Sequence, residues 1–135
     1  MIAVDTNILF YAHDSRDQEK QRKAADLIAS LYEDGALLWQ VACEYLWSSR
    51  RLASMGYSYA DALADVRVLQ RVWKTALPTW RVIDRSEALR VSYMLSHWDA
   101  LLIGACLEAG VNHLFSEDFG DNVRIETLEI TNPFR

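Results

Sequence analysis

The stretch MIAVDTNILFYAHD, residues 1–14, decides how this chain is read. Ile2, Ala3 and Val4 form a short apolar run that ends abruptly at Asp5-Thr6-Asn7. A run of that length, followed at once by small polar residues, predicts a buried strand whose end delivers polar groups into the start of a helix. In an open parallel sheet, the crevice beyond the carboxyl ends of the strands is where ligands bind. Asp5 is therefore both a structural boundary and a candidate for chemistry.

Outward from this start, strands and helices alternate. Residues from about 18 to 33 predict a helix, with Ala24, Leu27, Ile28 and Leu31 as its apolar stripe and Arg16, Lys20 and Lys23 on one side. Gly35 breaks that pattern, and residues 36–41 predict a second strand. Glu44 follows in the first turn or so of a helix running to about Ser54. Ser58 and Asp61 form a capping arrangement for a helix that runs to about Lys74. Ala62, Val66, Leu69 and Trp73 line one side of it, with Arg67, Arg71 and Lys74 well away from them. Residues 80–83 predict a third strand, and Asp84 with Glu87 a capping pair for the helix after it. A helix from about Trp98 to Ala109 closes at Gly110. Residues 113–115 predict a fourth strand ending at Ser116-Glu117-Asp118, and a last strand falls near residues 124–130. The alternation predicts an α/β fold built on a parallel sheet of about five strands.

Composition narrows the class. In 135 residues, 51% are hydrophobic and 24% charged, which suits one folded domain over the whole of 1–135 rather than a disordered tail. Acid appears at Asp5 before any long apolar run, so a signal peptide is not expected. No stretch approaches the roughly 18 uninterrupted apolar residues of a membrane span, and the cytoplasm is the expected location. Cys43 and Cys106 form neither a disulfide framework nor a zinc spacing and are expected to be buried thiols. The net charge of −5 argues against a general nucleic-acid binder, which is normally basic. It leaves room for an enzyme whose acids gather in one site while basic patches lie elsewhere.

Three acids, Asp5, Glu44 and Asp118, lie at or just after a strand end, and Asp99 opens the apolar helix WDALLIGACLEAG. Each has a structural alternative. Asp5 fits a helix cap, Glu44 a solvated charge, Asp99 a capping group paired with Ser96, and Asp118 a turn residue. The fold, however, places all four at one rim. Several carboxylates packed together do not all ionise cheaply, and a hard divalent cation removes that penalty. Mg2+ and Mn2+ favour such oxygen ligands. An ion of this kind lowers the pKa of a bound water and stabilises charge on a phosphate. His13, His97 and His113 share no metal-ligand spacing and are read as structural or surface groups, although His97 lies near enough to Asp99 in sequence for a contact. No G-x-S-x-G elbow, Ser-His-Asp order or phosphate-cradling glycine loop is present.

The segments IAVDTNILFYA, WQVACEYLW, WDALLIGACLEAG and LFSEDFGD followed by ITNPF, in that order and spacing, resemble the PIN-domain endoribonucleases, especially the VapC-type toxins of bacterial toxin–antitoxin pairs. The likeness covers nearly the whole chain, except about residues 50–80. It implies a Rossmann-like sheet with helices on both faces and acids at its centre. The family's metal-holding acids map onto Asp5, Glu44, Asp99 and Asp118. Asn7 matches a polar position that supports the first acid, and Ser116 a hydroxyl that positions water or the acid loop. Asp121 is an additional candidate of lower rank. The chain departs from the family where Trp39 precedes Gln40, a position often held by Ser or Thr. The resemblance implies Mg2+- or Mn2+-dependent hydrolysis of RNA, leaving 5′-phosphate and 3′-hydroxyl ends. Structured RNAs such as tRNA or ribosomal RNA loops are the expected substrates. It further implies an antitoxin partner that occludes the site, and commonly a homodimer.

Three alternatives stand beside this reading. Phosphatases of the haloacid dehalogenase type also begin with a strand ending in Asp, but need a second Asp two residues on; here Asn7 cannot exchange that proton. A non-catalytic PIN-like binding module would be favoured by loss of an acid, and all four are present. A PIN nuclease of RNA processing remains within the family. For contact with RNA, the cationic sets Arg16/Lys20/Lys23, Arg67/Arg71/Lys74 and Arg50/Arg51 are candidates. Tyr45, Leu46 and Trp47 cannot all face inward from one helix, so at least one should reach the surface near the acids and offer a partner an apolar groove.

Overall fold

Ile2–Val4 forms β1, and Asp5 turns the chain directly into helix α1, Thr6–Tyr11. The computed structural model describes all of residues 1–135. Then follow α2 (Gln18–Ser30), β2 (Gly35–Leu38), α3 (Trp39–Ser48) continued by a 3-10 turn (Ser49–Met55), α4 (Tyr59–Val72), β3 (Lys74–Ala76), α5 (Trp80–Tyr93), α6 (His97–Glu108), β4 (His113–Phe115), β5 (Val123–Ile125) and β6 (Leu128–Thr131). The sheet has six strands in the order β3-β2-β1-β4-β6-β5, and every pairing but β5–β6 is parallel. β1 sits at the centre, with Ile2 opposite Gly35 of β2 on one side and His113 of β4 on the other. The chain order reverses between β1 and β4, so the switch point of the sheet lies beyond Val4 and Phe115.

Local chemistry sets most of the helix ends. Ser58 and Asp61 make a reciprocal capping box at α4. Ser96 caps α6 through the Asp99 amide. Gly110, at φ +77°, closes α6 where the amides of Gly110 and Val111 bond back to Leu107 and Cys106. Tertiary packing overrides the sequence pattern elsewhere. Residues 80–83 are the first turn of α5, not a strand: Val82, Ser86 and Leu89 are buried at helical spacing, while Trp80 and Ile83 face solvent. Asp84 and Glu87 accordingly lie inside α5 rather than capping it, and Glu87 pairs with Arg90 at 2.7 Å. The third strand is instead Lys74–Ala76, an edge strand paired to β2.

Gly35 belongs to β2. A Cβ there would stand 2.3 Å from the buried Trp73 indole, so the indole packs directly on the backbone. β2 stops at Leu38, which makes Trp39 the first residue of α3. The expected last strand is a hairpin of two, turning at Glu126 with φ +53°. Cys106 is buried as expected, whereas Cys43 is exposed on α3. No helix is long and apolar enough to cross a membrane.

Candidate active site

The parallel register of β1 and β4 brings Asp5 beside the 116–118 loop. Asp5 is 7% exposed. One of its carboxylate oxygens accepts the Thr6 amide at 2.7 Å and caps α1; the other accepts the Ser116 hydroxyl at 2.7 Å. Burial is the largest influence on this carboxyl. It outweighs the lowering by those two bonds and, with the charges of Asp118 and Glu44, pushes the pKa up to about 6. The helix-cap role and the site role therefore coincide in one residue. Beneath it, burial and the nearby Asp5 charge hold the Cys106 thiol well above its ordinary range, so this cysteine is inert packing.

Glu44 comes from the second turn of α3, one helical turn beyond Gln40. The Thr6 hydroxyl donates to one carboxylate oxygen at 2.9 Å and the Gln40 amide to the other at 2.8 Å. The motif residue between Asp5 and Asn7 thus positions the second acid, a role that reading the sequence missed. Gln40 was visible as an i−4 neighbour on the same helix face. Asp118 accepts the Asn7 amide at 3.1 Å, and its backbone amide donates to the Ser116 hydroxyl at 3.1 Å. Burial, then the charge of Glu117, raises the Asp118 pKa; the Asn7 bond opposes this and the Asp99 charge adds to it. Asp99 lies half-buried in the first turn of α6.

The four acids consequently form a chain of mutually felt charges, Glu44 to Asp5 to Asp118 to Asp99. No three of them close round one point tightly enough to make a ready-made ion cage. The residues nonetheless fit a hard divalent ion that keeps some of its water. The donor set is entirely oxygen, Asp5 is a buried acid with no cation bonded to it, and the Asn7 Oδ1 is buried without a hydrogen-bond partner. A water on such an ion would satisfy that orphan acceptor.

Other expected groups lie elsewhere. Asp121 pairs with Arg135 at 3.0 Å. His97 packs edge-on against the Trp98 ring and makes no hydrogen bond to Asp99; His13 stacks on Tyr57 and His113 on Phe115. Arg16, Lys20 and Lys23 are each committed to a carboxylate, those of Asp14, Glu117 and Glu19. Lys74 has moved off the face of Arg67 and Arg71 into β3. Of the three consecutive residues after Glu44, Tyr45 is buried, Leu46 half-buried and Trp47 69% exposed. Trp47, Trp39, Trp80 and Trp98 line a groove of about 1130 Å3 between α3, the β3–α5 turn and α6, and Glu44 lies in its wall.

Residues 2–120 match the PIN domain family, and the chain belongs to that family. It is a family of nucleases that generally use divalent metals. Among solved structures, a toxin–antitoxin complex from Klebsiella pneumoniae contains a chain with TM-score 0.72 and 19% identity, covering 98% of each chain. The VapBC2 structure from Rickettsia felis, bound to a DNA fragment from their promoter, gives TM-score 0.67 and 15% identity over 98% of each. At these identities the likeness is one of fold. No curated protein sequence matches the chain.

Proposed function

We propose that this chain is a Mg2+- or Mn2+-dependent endoribonuclease and the toxin of a toxin–antitoxin pair. The observation that carries the nuclease reading is the charge-linked acid rim at the sheet's switch point, with a buried Asp5 of raised pKa and an orphan Asn7 acceptor beside Asp118. Asp5, Glu44, Asp99 and Asp118 would hold the ion. When bound, it supplies neutralisation of the acids, activation of water and stabilisation of charge on the scissile phosphate. The chain's own residues organise the rest. Ser116 ties the Asp5 carboxylate to the acid loop, Thr6 and Gln40 aim Glu44, and Asn7 aims Asp118. The products are a 5′-phosphate and a 3′-hydroxyl, and tRNA or ribosomal RNA loops are the substrate class.

The toxin reading is supported by the fold neighbours, both from toxin–antitoxin complexes, and by the tryptophan-lined groove. Four large, half or more exposed indoles beside an acid site suit a protein partner better than open water. An antitoxin segment, apolar on one side, would lie there and bring a basic side chain to the acids; a homodimer is proposed as well. The whole of 1–135 is taken as one PIN domain, since β5 and β6, past the matched residues, extend the same sheet from β4. Incubating the purified chain with total RNA tests the activity: cleavage with Mg2+, lost in excess EDTA and in Asp5→Asn, is expected. Full cleavage in EDTA would sink the metal mechanism.

A further inference from the structure

The acid loop carries two adjacent carboxylates, and the structure treats them oppositely. Asp118 faces Asn7 and the rim. Glu117 is held on the far side: the Tyr11 hydroxyl donates to one of its oxygens at 2.6 Å and the Lys20 ammonium to the other at 3.1 Å. The Lys20 ammonium also lies 4.5 Å over the Tyr11 ring and 5.3 Å over the Phe134 ring, and those rings meet edge to face. Phe134 is placed by its own amide, which donates to the Asn132 side chain at 2.9 Å. The end of α1 and the first turn of α2 therefore meet on Glu117 of the acid loop, and the C-terminal Phe134 packs behind both.

The loop needs such a support. Residues 116–120 have no regular structure. Asp118 itself is exposed and makes one side-chain hydrogen bond. Inside the site, Ser116 fixes the loop's start, and a single exposed bond from Asn7 holds Asp118. Because Glu117 is engaged by a phenol and by a cation that is itself held over two aromatic rings, Asp118 is the one left for the rim.

We infer that Lys20 and Tyr11, backed by Phe134, form a latch on Glu117 that positions Asp118 for metal, making Lys20 a positioning residue rather than a contact for RNA. This rests on the metal-dependent reading of the acid rim. It also separates position from charge by sign. Lys20 is a cation near an anionic site, so by charge alone its removal would strengthen binding of a divalent cation. As part of a latch, its removal weakens binding, because partners that orient ligands from outside the first contact shell are worth roughly 10–100-fold in metal affinity.

The test is direct Mn2+ titration of the purified full-length chain, followed by the electron paramagnetic resonance of free Mn2+, with thermal melting as the fold control. Lys20→Met is expected to weaken Mn2+ binding by about tenfold or more, and Lys20→Arg to stay near the wild type. Tyr11→Phe removes the phenol's bond to Glu117 without changing any charge and should also bind Mn2+ more weakly; it decides the matter if Lys20→Met does not fold. Unchanged or tighter Mn2+ binding in the folded variants, beside a wild type that binds, overturns the latch alone. A wild type that binds no Mn2+ overturns the metal reading and the latch with it.

Discussion

Asp5 is stabilised for capping and destabilised as a charge, and that conflict is measurable. Burial pushes its carboxyl pKa up to about 6, well above the ordinary carboxylate range. The folded state therefore holds this proton more tightly than the unfolded chain does. The resulting contribution to stability is complete below about pH 4, is lost as pH rises through 6, and above that leaves a cost of at most about 3 kcal/mol. The asparagine Oδ1 still accepts the Thr6 amide, and its Nδ2 donates to the Ser116 hydroxyl oxygen, so both contacts persist with the second reversed in direction. Asp5→Asn in EDTA should accordingly be more stable than the wild type at pH 7, with the advantage growing between pH 4 and 6.5 and flat beyond. Urea unfolding across that range reads it. Parallel stability curves, or a less stable variant at pH 7, would show that the buried charge carries no such cost. Saturating Mg2+ should shrink the difference by stabilising the wild type selectively.

At the scale of elements, β2 meets the end of α4 at Gly35, where the Trp73 indole fills the space of a side chain. Trp73 is 5% exposed and closes α4 against the sheet, so an added Cβ must displace a buried ring. Gly35→Ala should cost about 1–3 kcal/mol by overpacking, read as a lower urea midpoint. A variant with wild-type midpoint would mean that the indole repacks without strain. The glycine is visible in the sequence as a break, but its reason is not, because the partner ring arrives from 38 residues away. Residues 80–83 illustrate the same limit. Trp80-Arg81-Val82-Ile83 carries strand-forming side chains, yet Val82 needs only one buried face, and Gly104 of α6 lets α5 approach until a Cβ there would stand 3.2 Å from the Val82 carbonyl. Close helix–helix packing outweighed local preference.

For the molecule as a whole, net charge and exposed tryptophan pull toward different partners. Lys20, on the acid loop's Glu117, is already neutralised, as is Arg16 on Asp14, so the attraction either offers a phosphate is weakened. Arg67 and Arg71 have no carboxylate partner, nor do Arg50 and Arg51, which lie over the Trp47 and Phe10 rings; both sets remain candidates for RNA contact. Replacing Arg67 and Arg71 by Gln should lower the salt sensitivity of RNA binding by roughly the two contacts removed; an unchanged slope would exclude that face. Trp47, 69% exposed under Arg50, should behave differently. Trp47→Ala is expected to leave the melting temperature and RNA cleavage within error of the wild type while weakening the complex with a co-expressed antitoxin, measured by co-purification. Equal retention of partner would remove the groove from the interface.

Much of this protein is decided within short stretches of its sequence. Ile2-Ala3-Val4 followed by Asp5 makes a buried strand with a polar end, Ser58, Ser96 and Gly110 set helix boundaries, and the alternation of elements makes the sheet parallel. These features depend on neighbours a few residues apart, which is why they are legible without a structure. The acids at strand ends were legible for the same reason. Their working arrangement was not. Thr6 reaches Glu44 across 38 residues, and Asn7 and Ser116 make their bonds across 111. Likewise, which cations are free and which of Glu117 and Asp118 turns inward are fixed by groups on four separate segments. Such pairings have no local signature. They exist only once the order β2-β1-β4 brings the ends of distant strands side by side, and burial then fixes which polar groups must satisfy one another.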